Sequence, residues 1–229
     1  MDRKTLRAKL RVRLDDQDLP YLWSDSELND YLVRAYDEAC VRARLITDSS
    51  DASICQITLV SGQRLYEIDD SIIEVNRVHV ADDYDPLIKT TISNLDTDFG
   101  NWVVDTGKPE FWYLDPLSHD AGIQKIGLYK TPDADNAGRV LTMTVTRYPV
   151  DQLDSDTSEP TELNSRYHHD LLDWGEREAF MKHDAETTNP VKAVRAEARF
   201  EQRFGPRPTL NILTQRARGV TRRVRASYF

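Results

Sequence analysis

Glycine and cysteine are scarce in this chain, and acidic residues are missing altogether from its last 25 positions. Only 9 of 229 residues are glycine and none cluster, which speaks against a glycine-rich phosphate cradle, and no Walker loop or GxGxxG is present. The two cysteines, Cys40 and Cys55, are too few for a disulfide framework or a cysteine-based metal site. They read as buried or half-buried thiols of a reducing compartment. HExxH and GxSxG are absent as well. No run approaches the ~18 apolar residues that span a bilayer. The segment MDRKTLRAKLRVRL has no apolar stretch and does not read as a secretory signal. The expectation is a protein without catalytic residues, cofactor, metal or membrane partner.

What the chain does have is an uneven charge distribution. Gly205 to Phe229 carries six arginines, Arg207, Arg216, Arg218, Arg222, Arg223 and Arg225. The whole chain stands at −9, so the remainder without those six charges stands at −15. An acidic body therefore ends in a basic arm. Its few large apolar residues, Leu210, Ile212, Leu213, Val220, Val224, Tyr228 and Phe229, are too few for a core of its own. The arm is expected to be unstructured alone and ordered by what it binds. Extended at about 3.3 Å per residue it reaches roughly 80 Å.

Hydrophobic periodicity divides the rest. Leu6, Leu10 and Leu14 predict a helix over about 3–14. Ser24-Asp25-Ser26-Glu27 has capping-box spacing, and Leu28, Leu32, Ala35, Ala39, Ala43 and Ile46 continue one apolar stripe. Trp23 precedes the cap, where a hydrophobic staple would pack on Leu28 or a residue one turn in. The period then changes. Ile57 to Leu59, Arg64 to Ile68, Ile73 to Val80, Phe111 to Leu114, Ile123 to Tyr129 and Leu141 to Thr146 read as strands, with a helical turn between Thr91 and Phe99. Helix returns from Asn164 or Ser165 to about Glu186, with Tyr167, Leu171, Leu172, Trp174, Ala179 and Phe180 inward. A last helix opens at Asn189-Pro190 and closes at Phe204, with Val191, Val194, Ala198, Phe200 and Phe204 as its apolar face.

The fold expected is α+β. Helix pairs at residues 1–50 and 161–204 form one bundle, an antiparallel β-domain (sandwich or small barrel) is inserted at 51–160, and the arm covers 205–229. Candidate chemistry is thin. His79, His119, His168, His169 and His183 read as surface residues, and His168 and His169 point about 100° apart on a helix. The runs Asp15-Asp16-Gln17-Asp18 and Asp82-Asp83-Tyr84-Asp85 lack EF-hand spacing and read as solvated loop ends. Trp112 and Tyr113 adjoin on a strand and face opposite sides; one is expected in the core, the other as an interface anchor or half-covered ring.

Several segments, in order, resemble the head-to-tail adaptor proteins of tailed bacteriophages, including the short-tailed-phage type called tail tubular protein A. They are Trp23-Ser24-Asp25-Ser26-Glu27-Leu28 with the alanine-rich helix after it, Ile57 to Ile68, Val75-Asn76-Arg77-Val78, Pro86-Leu87 and Thr106-Gly107-Lys108-Pro109. Leu128-Tyr129-Lys130-Thr131-Pro132, Arg147-Tyr148-Pro149 and the Phe200–Phe204 close complete the set. The resemblance implies a non-enzymatic structural protein of the virion, made in the host bacterial cytoplasm. It implies rings, usually of twelve copies, beneath the portal, with a downstream tail or nozzle protein below. Genomic DNA would pass through the lumen without sequence-specific binding. It also implies an arm that docks on the portal. Leu210, Ile212, Leu213, Arg216, Arg218, Arg222, Arg223, Arg225, Tyr228 and Phe229 are the candidate portal-interface residues. The alternative from the residues alone is a nucleic-acid-binding module that uses the arm's arginines on phosphates, although no reading motif precedes them.

Overall fold

The computed structural model of the chain describes residues 1–115, 124–184 and 186–208. Helices and strands are mixed, as an α+β chain requires. In chain order they are α1 (Arg3–Leu14), α2 (Asp25–Ala43), β1 (Thr47–Asp48), α3 (Ala52–Cys55), β2 (Gln56–Thr58), β3 (Leu65–Glu67), β4 (Ile72–Val80) and β5 (Ile88–Lys89). They continue with α4 (Ile92–Asp98), β6 (Phe111–Leu114), β7 (Lys125–Tyr129), β8 (Val140–Arg147), α5 (Leu171–Phe180) and α6 (Pro190–Phe204). Two compact units result. One combines Met1–Ile46 with Arg147–Arg207; the other contains Thr47–Thr146.

In the helical unit, α1, α2, α5 and α6 share one core. The α2 start is the capping box: Glu27 N–H donates to the Ser24 hydroxyl at 3.2 Å and Ser24 N–H donates to the Glu27 carboxylate at 2.8 Å. Leu28, Leu32, Ala35, Tyr36 and Ala39 are then fully buried, each large side chain contributing about 1.5–3 kcal/mol of transfer free energy. A side chain at Gly175 in α5 would place its Cβ 2.9 Å from a Leu10 methyl of α1, so any larger residue there has to displace that methyl.

Several expectations change in this unit. Trp23 shares the core with Leu28 and also reaches across to α5. It packs edge-on against Phe180, with ring centroids 6.1 Å apart, and its Nε1–H donates to the Ala179 carbonyl at 3.1 Å. α5 follows a 3-10 turn at Ser165–Tyr167 and stops at Phe180, not near Glu186. The Phe180 carbonyl instead accepts the Asn189 N–H at 2.9 Å, which turns the chain into α6. On α6, Val191 and Val194 are 61% and 65% exposed, and Ala198 is exposed too. Ala193, Ala196, Phe200 and Phe204 form the inner face. Both faces carry apolar residues three and four apart, so hydropathy alone does not choose; the two phenylalanines do. Asp16 and His168 are buried, not solvated. Asp16 pairs with Arg11, while His168 Nε2–H donates to the Leu163 carbonyl at 3.0 Å and Nδ1 meets the Met1 amine at 2.8 Å.

In the second unit the strands form two four-stranded sheets: β1-β8-β2 with β4 also on β8, and β3-β7-β6-β5. The strands before and after Ser61-Gly62 therefore do not pair with each other; β2 joins β8 and β3 joins β7. The expectation of an antiparallel domain fails at β5 and β6, which run parallel, Ile88 opposite Phe111. Residues 90–110, with α4 among them, supply the long crossover that a parallel pair needs. Trp112 and Tyr113 are both covered, at 1% and 2% exposure. Trp112 joins the main core with Val78 and Leu128, and Tyr113 joins a satellite core with Leu95, Trp102 and Tyr129. Tyr113 lies over Gly127 on β7, where an added Cβ would stand 2.2 Å from the phenol ring.

Candidate interaction site

The ten candidate interface residues of the arm, Leu210, Ile212, Leu213, Arg216, Arg218, Arg222, Arg223, Arg225, Tyr228 and Phe229, lie outside the described residues. Of the basic segment, the structure places the root. Gly205 takes a left-handed φ of 88° at the end of α6. Its carbonyl accepts from Arg42 Nη1 at 3.4 Å, and Arg207 reaches Glu38 of α2 at 3.3 Å.

Arg42 sits at the centre of this root. Its side chain is 1% exposed. Nε donates to Glu38 one turn earlier at 2.8 Å, and the guanidinium lies 4.7 Å from the Trp174 ring centroid and 5.2 Å from that of Phe200. A second guanidinium, Arg177, lies 4.9 Å from the Trp174 centroid and pairs with Glu178. Cations over aromatic faces are favourable when desolvated, so the helical spacing of Trp174 and Arg177 on α5 builds a charged layer on an apolar floor.

Beside the root is a cleft of about 370 Å³. Its walls come from α2 (Arg34, Asp37, Glu38, Val41) and α5 (Trp174, Arg177, Glu178), closed by Tyr148 and Arg207. The wall carboxylates are held: Glu178 by Arg34 and Arg177, Glu38 by Arg42 and Arg207. Arg34 and Arg207 stand outermost, their side chains 64% and 71% exposed against about 15% for Glu178 and 14% for Glu38. Burial pushes the Asp37 carboxyl up, against the hydrogen bond with Gln152. Its Oδ1 is buried with no hydrogen-bond partner. The mouth of the cleft is thus basic.

The second unit is the acidic one. Residues 47–146 contain 17 acids and 7 bases. Among its described residues the most exposed large hydrophobic side chain is Tyr84, at 99%, on the turn that the acidic run Asp82-Asp83-Tyr84-Asp85 forms. Asp83 in that turn is not solvated. Arg139 and Lys108 meet its carboxylate at 2.6 and 2.9 Å, and Arg139 also donates to the Ala81 carbonyl at 2.6 Å. Burial alone would push the Asp83 carboxyl up; the two cations more than offset it, and it lies below the usual range. His79 Nε2–H donates to the Asp83 carbonyl at 2.8 Å. The turn is therefore clamped at its base while Asp82, Tyr84 and Asp85 face solvent.

Sequence reasoning passed over the cleft. The i,i+4 pairs Arg34–Glu38 and Glu38–Arg42 were the available signal on α2; nothing in sequence joined them to α5. Among the described residues no group of three His, Cys, Asp or Glu side chains could hold a metal, and no helix is long and apolar enough to cross a membrane. The family model described as SU10 adaptor protein matches residues 1–226. No curated protein matches the chain.

Proposed function

The chain belongs to the SU10 adaptor protein family, a family of phage head-to-tail adaptors, and on that premise we propose that it forms a ring beneath the portal and joins the DNA-filled capsid to the tail. A structural role in the virion follows from the family. The ring, the portal contact and the passage of DNA are the finer parts of the proposal.

One observation carries it. The arm's root is tied to the helical unit by Arg42 on Gly205 and by Glu38 on Arg207, so the arginine-rich segment starts from a fixed point rather than from a fraying helix end. In the proposal, Arg216, Arg218, Arg222, Arg223 and Arg225 pair with carboxylates of the portal, while Leu210, Ile212, Leu213, Tyr228 and Phe229 fill apolar sites on it. Ordering entropy falls due on docking. Repetition round a ring makes individually weak contacts strong together through effective concentration. The acidic body repels DNA and lets it pass. That same charge weighs against a nucleic-acid-binding role for the arm.

Electron microscopy of the full chain mixed with portal rings tests the reading. The expected result is a ring stacked on the portal, lost when residues 209–229 are deleted while thermal unfolding stays the same. Portal binding by the truncated chain at undiminished affinity would overturn the arm's role. Tight, steeply salt-dependent binding to DNA without any portal complex would favour the nucleic-acid alternative.

A further inference from the structure

A ring of identical copies needs two different surfaces on each copy that fit one another. We propose that the Asp82–Pro86 turn of one copy seats in the α2–α5 cleft of the next, with Tyr84 filling the cleft and Asp82 and Asp85 pairing with Arg34 and Arg207. This rests on the ring reading above and names its contact.

The two surfaces match in shape and charge. The cleft, at about 370 Å³, is ample for one aromatic side chain, and Trp174, Val41 and Tyr148 give it an apolar lining. Tyr84 is 99% exposed on a turn whose base is fixed by Asp83, Arg139, Lys108 and His79. An uncovered tyrosine is the kind of residue that anchors interfaces, because it buries much area and has only two side-chain torsions to fix. Asp82 and Asp85 flank it, both exposed. The outermost charges of the cleft are the guanidiniums of Arg34 and Arg207, and Glu178 and Glu38 beneath them are already paired. The partner is a second copy because the acidic turn and the basic-mouthed cleft occur on the same chain, one on each unit.

Charge reversal tests the contact in the full-length chain. Asp82→Arg with Asp85→Arg reverses the turn, and Arg34→Glu with Arg207→Glu reverses the mouth of the cleft. Ring formation on portal rings is counted by native mass spectrometry, and self-association without portal is followed by sedimentation velocity. Each reversed protein alone is expected to lose roughly tenfold or more in association, because like charges then face each other across the contact. An equimolar mixture of the two restores association, since each reversed turn meets a reversed cleft and each native turn a native one. A chain carrying all four reversals restores it as well. Rings that persist unchanged in either reversed protein overturn the contact and leave the ring reading standing. Loss in both proteins without rescue by mixture or combination also overturns it. Absence of any ring from the native chain overturns both readings.

Discussion

Arg11 and Asp16 close an ion pair at 2.6 Å with both side chains buried. Asp16 also accepts the Leu22 N–H at 2.8 Å, and Arg11 Nη2 donates to the Trp23 carbonyl at 3.0 Å. The pair therefore fixes the chain between α1 and α2. Removing Asp16 takes away the buried partner of Arg11, leaving it only the more exposed Asp25 at 2.6 Å, and takes away the acceptor of the Leu22 N–H. Asp16→Ala is expected to cost about 3 kcal/mol, read as a lower urea midpoint at constant slope. Asp18→Ala, on an exposed neighbour in the same acidic run, is expected to change stability by less than ~0.5 kcal/mol.

Gly127 is required by sterics alone. A Cβ there would meet three atoms of the Tyr113 ring between 2.2 and 2.6 Å, and Tyr113 is packed against Trp102 at 5.7 Å between centroids. Gly127→Ala is expected to destabilise by about 1–3 kcal/mol. In a Tyr113→Ala background the same change should cost much less, because the clash is gone. Equal costs in both backgrounds, measured by chemical denaturation, would refute this account.

Asp156 links pH to the helical unit. Hydrogen bonding to Arg7 lowers its carboxyl most, burial works against this, and Arg3 lowers it further, to about 2 from an ordinary 3.8. A folded-state value below the unfolded one means that the ionised carboxylate is the form favoured by folding. Its contribution is complete above about pH 4 and is lost as pH falls toward about 2. Carboxyl NMR should place the Asp156 midpoint near 2, and Asp156→Asn should remove that part of the acid dependence. A midpoint at the ordinary value would contradict the Arg3 and Arg7 contacts.

Cys40 is fully buried in α2, and burial pushes its thiol up to about 12. Cys55 is fully buried as well. A thiol that stays protonated and covered does not react. Neither cysteine should titrate with a disulfide reagent in the native chain at pH 8, and both should react in denaturant. Reaction of Cys40 before unfolding would mean that the α2 core opens locally.

How much of this was legible depended on what fixed each feature. The α2 start could be read because a capping box is local: four residues determine it. The strand runs of the second unit could be read from alternation, but their partners could not. That β2 and β3 part company, or that β5 and β6 run parallel, follows from distant residues. The inner face of α6 misled because Val191 and Val194 outrank Ala193 and Ala196 in hydropathy, while tertiary packing placed Phe200 and Phe204 inward and carried the alanines with them. Asp16 looked solvated for a similar reason: its partner, Arg11, lies on a helix whose buried face had been assigned to leucines alone. The arm's composition was visible at once. The cleft beside its root was not, because α2 and α5 are more than a hundred residues apart.

The Arg42 clamp on Gly205 bears on how tension would travel. A pull on the segment beyond Pro208 is met by Arg42 and Glu38 on α2 as well as by the hydrogen bonds that run along α6. Arg42 in turn is wedged over Trp174 and Phe200, so the strain is shared by three helices through one side chain. The last turn of α6 is thus braced through Arg42, and a load on the arm is carried into the helical core as well as along α6.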